Sequence, residues 1–437
     1  MKKFIIHSVF VVSSMALASS LALAQAMPKA APEAVGLSSV KLKALKTALQ
    51  HQVDQGAIPG VVMMIVRNGK LAFSEAIGYQ DKAAGKVLSK DAIFRIYSMT
   101  KPLASVGAMM LVEDGKMQLV DPISKYLPEF AKMNVSVAQT DAAGVVTYSS
   151  VPANKPITVQ DLLRHTSGLA YAELTRNAVI KQAYIDAGVY QVNGTDYDER
   201  RATPQQEVSG LAKAPLSTQP GSTWEYSMSV DILGRVVEAA SGKLLGEYLE
   251  ERLFKPLKMR DTGFQVPGKD LPRLAEALAV DASTGVPNKL LDVSIAPANA
   301  SGGAGGVSTA SDYLRFAVML LRGGELDGQR ILSPSTVSLM TSDHLGSKVQ
   351  ASPGPGELLM GVPGYTFGLG FMVRQGPGMA GVPGSEGEYM WAGAAGTFFW
   401  VDPKQNLAVV AMMQAPGPTR PSMRRLIKQL VYAAIEK

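Results

Sequence analysis

Strand-forming segments lie at the two ends of this 437-residue chain, and helix-forming segments fill its middle. Near the N-terminus, Val61–Arg67 and Leu71–Tyr79 are apolar runs of strand length joined by Asn68-Gly69, a dipeptide that favours a tight hairpin turn. Further strands are predicted near the C-terminus at Tyr365–Arg374, Glu388–Gly393, Phe398–Val401 and Leu407–Met413. An amphipathic helix precedes the first pair and another follows the last strand. We therefore expect both ends to form one antiparallel sheet covered by these two helices.

The middle of the chain carries most of the helix signals. Thr158 followed by Asp161 is a capping-box pattern, which is typical of a helix start. The segment Met133–Pro156 is predicted to be an inserted hairpin or loop, and the Gly- and Pro-rich residues 351–387 to be surface loops beside one strand. Helices are predicted to begin at Ser98, Thr158, Ser229 and Ser311. The pattern as a whole favours an α+β fold.

The first 26 residues are typical of a secretory signal peptide. Lys2 and Lys3 give a positive start, Phe4–Leu23 is apolar, and small residues follow that allow cleavage after Ala24 or Ala26. A membrane anchor is the alternative, because the apolar stretch approaches the length that spans a bilayer. We expect export to a periplasm or to the medium, with no stable membrane span after cleavage.

Composition excludes several classes of function. The chain has no cysteine, so neither disulfides nor a lipidated cysteine are available, and a core of ordinary apolar burial must stabilise it. The formal charge is +6, from 43 basic and 37 acidic residues, but the basic residues form no block, so nucleic acid is not an expected partner. With four histidines and no H-E-x-x-H pattern, no metal or other cofactor is expected. Oligomeric state is not predicted.

The tetrapeptide Ser98-Met99-Thr100-Lys101 predicts a serine nucleophile with its own base. On a helix, residues three apart lie on one face, one turn from each other. A serine hydroxyl needs a neighbouring base to become nucleophilic, and a buried lysine can serve because burial favours its neutral form. A second pair of this spacing, Ser38 and Lys41, has a simpler explanation, since Ser38 or Ser39 is placed to cap the first amphipathic helix. The S-x-x-K spacing at Ser98 therefore needs support from other motifs.

Three further segments supply that support. They are Leu162-Leu163-Arg164-His165-Thr166-Ser167-Gly168-Leu169, Pro220-Gly221-Ser222-Thr223-Trp224-Glu225-Tyr226-Ser227 and Trp391-Ala392-Gly393. Together with Phe94–Lys101, they occur in the order found in β-lactamase-like serine hydrolases. The chain most resembles the carboxylesterases related to class C β-lactamases, from about residue 35 to the end.

This resemblance implies a β-lactamase/DD-peptidase-like fold. An antiparallel sheet flanked by helices would be formed by residues 27–97 and 300–437, with residues 98–299 as a mostly helical insertion. The active site would lie in the cleft between them.

The resemblance also implies catalytic roles. Ser98 would attack the acyl carbonyl, and Tyr226 beside Lys101 would relay protons, either as a phenolate or by sharing a proton with the lysine. The backbone N–H groups of Ser98 and Ala394 would form the oxyanion hole, and Ser227, Trp391 and Gly393 would contact the substrate. The indole of Trp391 could instead be ordinary strand packing, and His165 is interpreted as a structural, hydrogen-bonding histidine, because no G-x-S-x-G elbow is present.

Two departures from the β-lactamase pattern indicate the substrate class. Trp391-Ala392-Gly393 stands where β-lactamases usually have Lys-Thr-Gly, so the cation that holds the drug carboxylate is missing. The Tyr-x-Asn motif reads Tyr226-Ser227-Met228 and lacks the amide. The chain is therefore predicted to hydrolyse small-molecule carboxylic esters of small or medium acyl groups. The alternatives are a β-lactamase, a D-amino-acid peptidase, an amide hydrolase or an acyltransferase, and a protein that binds without turnover.

Overall fold

The computed structural model describes residues 27–190 and 201–437. Its strands in chain order are β1 (Gly60–Arg67), β2 (Lys70–Asp81), β3 (Lys86–Val87), β4 (Ile93–Arg95), β5 (Asn134–Thr140), β6 (Val146–Pro152), β7 (Thr223–Trp224), β8 (Val307–Thr309), β9 (Glu325–Leu326), β10 (Gln329–Arg330), β11 (Gln350–Ala351), β12 (Tyr365–Phe367), β13 (Met372–Arg374), β14 (Tyr389–Ala392), β15 (Phe398–Asp402) and β16 (Leu407–Met412). Eight of them form one antiparallel sheet in the order β12-β13-β14-β15-β16-β1-β2-β3. The prediction that both chain ends share one sheet is confirmed.

Helices cover both faces of this sheet. The helices of the described residues are α1 (Ser39–Asp54), α2 (Thr100–Glu113), α3 (Val159–Leu163), α4 (Ala178–Asp186), α5 (Pro204–Lys213), α6 (Ser229–Ser241), α7 (Leu245–Leu249), α8 (Ala310–Leu321), α9 (Pro334–Met340), α10 (Pro355–Met360) and α11 (Arg420–Ala433). Phe399 and Trp400 are neighbours on β15, so their side chains point to opposite faces. The Phe399 ring lies 4.9 Å from Tyr313 of α8, whereas Trp400 stacks on Tyr432 of α11. The first and last helices, α1 and α11, pack together, and α8 covers the other face.

The middle of the chain is built around α2 and α6, which pack against each other and against α7. The hairpin predicted within Met133–Pro156 is present, with β5 paired to β6 from Asn134 opposite Pro152 to Thr140 opposite Val146. The capping box of α3 is also confirmed, because Thr158 Oγ1 accepts from the Asp161 N–H while the Asp161 carboxylate accepts from the Thr158 N–H. The domain boundary at residues 98 and 299 stays a prediction.

The proposed signal peptide, residues 1–26, lies outside the described residues. None of the helices in the described ranges has the length and apolar character that crossing a bilayer requires.

Three predicted elements differ locally from the structure. The single strand at Tyr365–Arg374 is a hairpin of β12 and β13, because the chain reverses through Gly370, whose φ of 92° suits glycine. The Gly- and Pro-rich residues 351–387 include the short helix α10 as well as loops. At the first helix, Ser38 occupies the N-cap position without a side-chain capping bond, and the carboxylate of Glu33 instead accepts from the Ser39 N–H.

A fully buried cluster of charges joins α11 to the sheet. Glu388 Oε1 lies 3.3 Å from Arg374 Nη1, and Glu388 Oε2 lies 2.7 Å from Lys428 Nζ. Tyr432 donates to the same Oε2 over 2.6 Å. The side chains of Glu388, Arg374 and Lys428 have no exposed surface, so water cannot replace a lost partner.

Replacing Glu388 by glutamine is expected to lower the free energy of unfolding by about 3 kcal/mol, because two buried cations lose the carboxylate that pairs with both of them. Urea unfolding followed by circular dichroism measures this loss. Glu386→Gln is the matched control, since Glu386 pairs with Lys404 on the surface with both side chains 60% exposed, and little change is expected there. Equal losses in the two variants would contradict the argument from burial.

Candidate active site

Ser98 lies in a short 3-10 turn, Tyr97–Met99, between β4 and α2. The turn begins with a strained residue, because Tyr97 has a φ of 43°, in the left-handed region that non-glycine residues rarely adopt. Hydrogen bonds hold this conformation: Thr100 Oγ1 donates to the Tyr97 carbonyl over 2.6 Å, and Tyr97 Oη accepts from the Leu291 N–H over 3.0 Å. Ser98 is partly exposed while the residues on either side of it are buried. The turn thus presents the Ser98 hydroxyl at the surface of a rigid core.

Tyr226 is the side chain that contacts this hydroxyl. Its Oη donates to Ser98 Oγ over 2.6 Å. The Tyr226 ring is held on three sides by aromatic rings, with centroids 5.0 Å away for His165, 5.2 Å for Tyr171 and 5.4 Å for Trp391. The predicted nucleophile and proton relay, 128 residues apart in the sequence, are therefore brought into direct contact.

Lys101 is buried beside the two tyrosines, with 1% of its surface exposed. Its Nζ donates to Tyr171 Oη and to the carbonyl of Gly303, each over 2.8 Å. It also lies 4.7 Å from the centre of the Tyr226 ring. In the part of the chain that the structure describes, no hydrogen bond joins Lys101 Nζ to Ser98 Oγ. The lysine is therefore placed as a neighbour of Tyr226, while Tyr226 is the direct partner of the serine.

The partners of Lys101 are functional residues that the sequence reasoning missed. Gly303 belongs to the glycine-rich run Ser301–Gly306, which matches none of the motifs. Its N–H donates to Asp231 Oδ1 over 2.9 Å, and a Cβ at this position would overlap the Asp231 carboxylate. Tyr171 follows the His165 motif in a loop that carries no recognisable pattern. The aromatic residue itself, three positions after Gly168, was the one signal that the sequence offered.

The third motif lies at the end of β14, close to the serine turn. Thr397 Oγ1 donates to the Ile96 carbonyl over 3.3 Å, and a Cβ on Gly393 would overlap that same carbonyl. Gly393 is therefore required for the close approach of the two segments. Ala394 is exposed, and its N–H makes no hydrogen bond to another described residue. That free donor suits the predicted oxyanion hole, in which the Ala394 and Ser98 N–H groups stay predicted partners.

Two predicted substrate contacts have buried side chains. Trp391 is 1% exposed and packs between Tyr226 and Phe367, with ring centroids 5.4 Å and 5.3 Å away. Ser227 is fully buried, and its Oγ lies 2.7 Å from Ser229 Oγ. Trp391 packs directly against Tyr226, and Ser227 contacts His165, which packs against the same ring. The contact of either side chain with substrate stays a prediction.

His165 is buried beneath Tyr226 and does not reach Ser98 in a hydrogen bond within the described residues. Its Nδ1 lies 3.3 Å from Ser227 Oγ, in agreement with the structural hydrogen-bonding role predicted for it. Burial, with a smaller contribution from the Lys101 charge, holds the pKa of the imidazole well below its usual range. The ring therefore stays neutral and packs against Tyr226 as an aromatic neighbour.

Comparisons with known proteins identify the family and the fold of the chain. The family model described as Beta-lactamase matches residues 45–432. Protein Rv1367c of Mycobacterium tuberculosis (strain ATCC 25618 / H37Rv) is 34% identical over 84% of this chain and 89% of its own length. Esterase EstB of Burkholderia gladioli is 30% identical over 87% of this chain and 92% of its own. The structure of EstCE1, described as a hydrolase with promiscuous acyltransferase activity, has a TM-score of 0.72 and 29% identity, and the match covers 90% of this chain and 98% of that one.

These matches span both the sheet and the helical region, and they confirm the predicted α+β fold of the β-lactamase type. The identity to EstB extends over residues far beyond the short motifs. The chain belongs to the β-lactamase family and is a serine hydrolase of that fold.

Proposed function

We propose that this protein is an exported serine esterase that hydrolyses carboxylic esters of small or medium acyl groups through an acyl-enzyme on Ser98. One observation carries the proposal: Tyr226 Oη is hydrogen-bonded to Ser98 Oγ over 2.6 Å beside a third motif headed by Trp391. The acyl-transfer pair is in contact, while the position that carries a cation in β-lactamases holds a buried indole. The relatives named as esterases support the same class of substrate.

The proposed reaction uses the two predicted oxyanion-hole donors, the N–H groups of Ser98 and Ala394, and Tyr226 as the proton relay. Ser98 Oγ attacks the ester carbonyl and passes its proton to Tyr226 Oη, which must first have given up its own proton, and the carbonyl oxygen becomes an oxyanion that accepts hydrogen bonds from the N–H groups of Ser98 and Ala394. The C–O bond to the alcohol then breaks, and Tyr226 gives the proton to the departing alkoxide. Water next attacks the acyl-enzyme, gives a proton to Tyr226 and releases the acid, while that proton returns to Ser98. Lys101 Nζ lies 4.7 Å from the centre of the Tyr226 ring, next to the proton relay.

Acyl transfer to an alcohol is the second candidate. It uses the same acyl-enzyme, with an alcohol in place of water in the second step. The similarity to EstCE1, whose description includes promiscuous acyltransferase activity, is the observation that favours it. The two activities differ only in which nucleophile reaches the acyl-enzyme first.

The test compares initial rates on p-nitrophenyl esters of increasing acyl length with the rate on a chromogenic cephalosporin. We expect turnover of the acetate to octanoate esters and little opening of the lactam. Cephalosporin turnover as fast as that of the butyrate would overturn the ester assignment. If an added alcohol were converted into its ester in place of the free acid, acyl transfer would become the preferred function.

Export is supported by the sequence of residues 1–26, in which Lys2 and Lys3 precede an apolar run and small residues. When the full chain is expressed in a Gram-negative host, mass spectrometry of the exported protein is expected to find an N-terminus at Gln25 or Met27. An uncleaved chain in the membrane fraction would support the anchor instead.

A further inference from the structure

A single peptide unit, Gly393–Ala394, connects the predicted oxyanion hole to the C-terminal helix. Its N–H belongs to Ala394 and is the predicted donor to the oxyanion, while its carbonyl belongs to Gly393. Ser352–Pro353 is the cis bond found among the described residues, so this unit is trans. In a planar trans peptide the C=O and N–H point in opposite directions. Whatever fixes the Gly393 carbonyl therefore also fixes the direction of the Ala394 N–H.

Arg424 of α11 fixes that carbonyl. Its Nη2 donates to the Gly393 carbonyl over 3.0 Å, and its Nη1 donates to the Leu359 carbonyl at the end of α10 over 2.7 Å. The Arg424 side chain is 4% exposed. A planar guanidinium that bridges two carbonyls from a buried position has little freedom to move.

The same carbonyl accepts a second hydrogen bond, from the Gly396 N–H over 3.1 Å. Hydrogen bonds to a carbonyl polarise the amide and strengthen its N–H as a donor, and the effect is larger when the partner is charged and the surroundings are of low dielectric. The Ala394 N–H lies at the other end of this peptide unit and is not hydrogen-bonded to a described residue. When polarised in this way, it would donate a stronger hydrogen bond to a bound oxyanion.

We propose that Arg424 is a positioning residue for acyl transfer, which aims and polarises the Ala394 N–H by holding the Gly393 carbonyl from behind. The inference rests on the proposed function, because it assigns Arg424 to the oxyanion hole of that reaction. Arg420 and Tyr226 are the charged and titratable groups that act on Arg424. Burial and the nearby charge of Arg420 together lower the pKa of Arg424 to about 9, and Tyr226 opposes the shift.

Arg425 provides a matched control on the next residue of the helix. Its Nη1 donates to the Met360 carbonyl, so it also ties α11 to α10, but within the described residues it makes no hydrogen bond to the third motif. Loss of either arginine removes a cation and a bond to α10. Only loss of Arg424 removes the side-chain hydrogen bond to the Gly393 carbonyl.

The experiment measures kcat and KM for p-nitrophenyl butyrate in Arg424→Met, Arg424→Lys and Arg425→Met, with thermal unfolding as a check on folding. We expect Arg424→Met to lower kcat about 10- to 100-fold with KM nearly unchanged, since an oxyanion interaction acts in the transition state. Arg424→Lys keeps a charged donor and should recover part of the loss, and it remains informative if the methionine variant does not fold. Arg425→Met should stay within about 2-fold of the unmodified protein.

A second measurement separates this inference from the proposed function. The rate at which a fluorophosphonate labels Ser98 also depends on an oxyanion hole but needs no ester substrate. Ester turnover by the unmodified protein with equal kcat in Arg424→Met and Arg425→Met would overturn the role of Arg424 and leave the esterase proposal intact. Absence of ester turnover would refute the esterase proposal, and the labelling rates would then decide on Arg424: slower labelling in Arg424→Met alone supports its role, and equal rates overturn it.

Discussion

Alanine at position 98 is expected to lower kcat/KM for p-nitrophenyl butyrate by at least about 10⁴-fold, because it removes the atom that forms the acyl-enzyme. The hydroxyl lost is the one that accepts from Tyr226 Oη, and in the described residues that is its single hydrogen bond. The fold should be preserved, since Ser98 is partly exposed and the strained turn is held through Tyr97 and Thr100. Initial rates and fluorophosphonate labelling of the protein measure the effect.

Ser105→Ala is the control for this variant. Ser105 lies on α2, the helix that follows the Ser98 turn, is fully buried, and its Oγ has no hydrogen-bond partner among the described residues. Its loss removes the same group from the neighbouring helix, where it makes no hydrogen bond to Ser98 or Tyr226, so activity should be unchanged. Full activity of Ser98→Ala would place the nucleophile elsewhere and refute the acyl-enzyme on Ser98.

The sheet was predictable because its signals are local. The hairpin of β1 and β2 follows from two apolar runs around Asn68-Gly69, and both residues adopt the positive φ that such a turn needs, 51° and 74°. The position of α8 was not predictable, since its sequence predicts a helix but not which face of the sheet it covers. That choice is set by packing of Tyr313 and Phe316 against Phe399, contacts between segments about 80 residues apart.

For the active site, the sequence led to residues within motifs and missed residues brought in by the fold. Ser98 and Tyr226 were assigned through motifs of a known family. Tyr171 and Gly303 belong to no motif, yet they hold Lys101. Arg424 contacts the third motif from 31 residues further along the chain. A hydrogen bond between distant segments leaves no periodic trace in one sequence, so such residues become visible only in the folded molecule.

The placement of Lys101 bears on how the S-x-x-K spacing works here. The helix geometry alone predicts a lysine that takes the proton from Ser98 directly. In the structure its Nζ donates to Tyr171 and to the Gly303 carbonyl, and it lies beside the Tyr226 ring. The residue that is hydrogen-bonded to Ser98 is Tyr226. The spacing therefore places Lys101 next to Tyr226, and the proton relay through Tyr226 stays a prediction.

Tyr226→Phe is expected to lower kcat for p-nitrophenyl butyrate by about 10³-fold, because general acid–base groups in direct contact with the nucleophile contribute on this scale. The phenylalanine ring keeps the packing against Trp391 and His165, so the loss reports on the hydroxyl. Stopped-flow measurement of p-nitrophenol release and steady-state turnover would show whether acylation, deacylation or both are slowed.

Tyr171→Phe is the matched comparison, since Tyr171 is also a tyrosine in contact with Lys101 but its Oη bonds Lys101 Nζ and not Ser98. Its loss removes one of two hydrogen-bond acceptors of Lys101 and leaves the Gly303 carbonyl in place, so a reduction of only about 10-fold is expected. This order of effects follows from a single difference in geometry, the 2.6 Å bond from Tyr226 to Ser98. If Tyr171→Phe lost more activity than Tyr226→Phe, the proton-accepting role would pass to Lys101 and its Tyr171 partner, and Tyr226 would be a residue that orients Ser98.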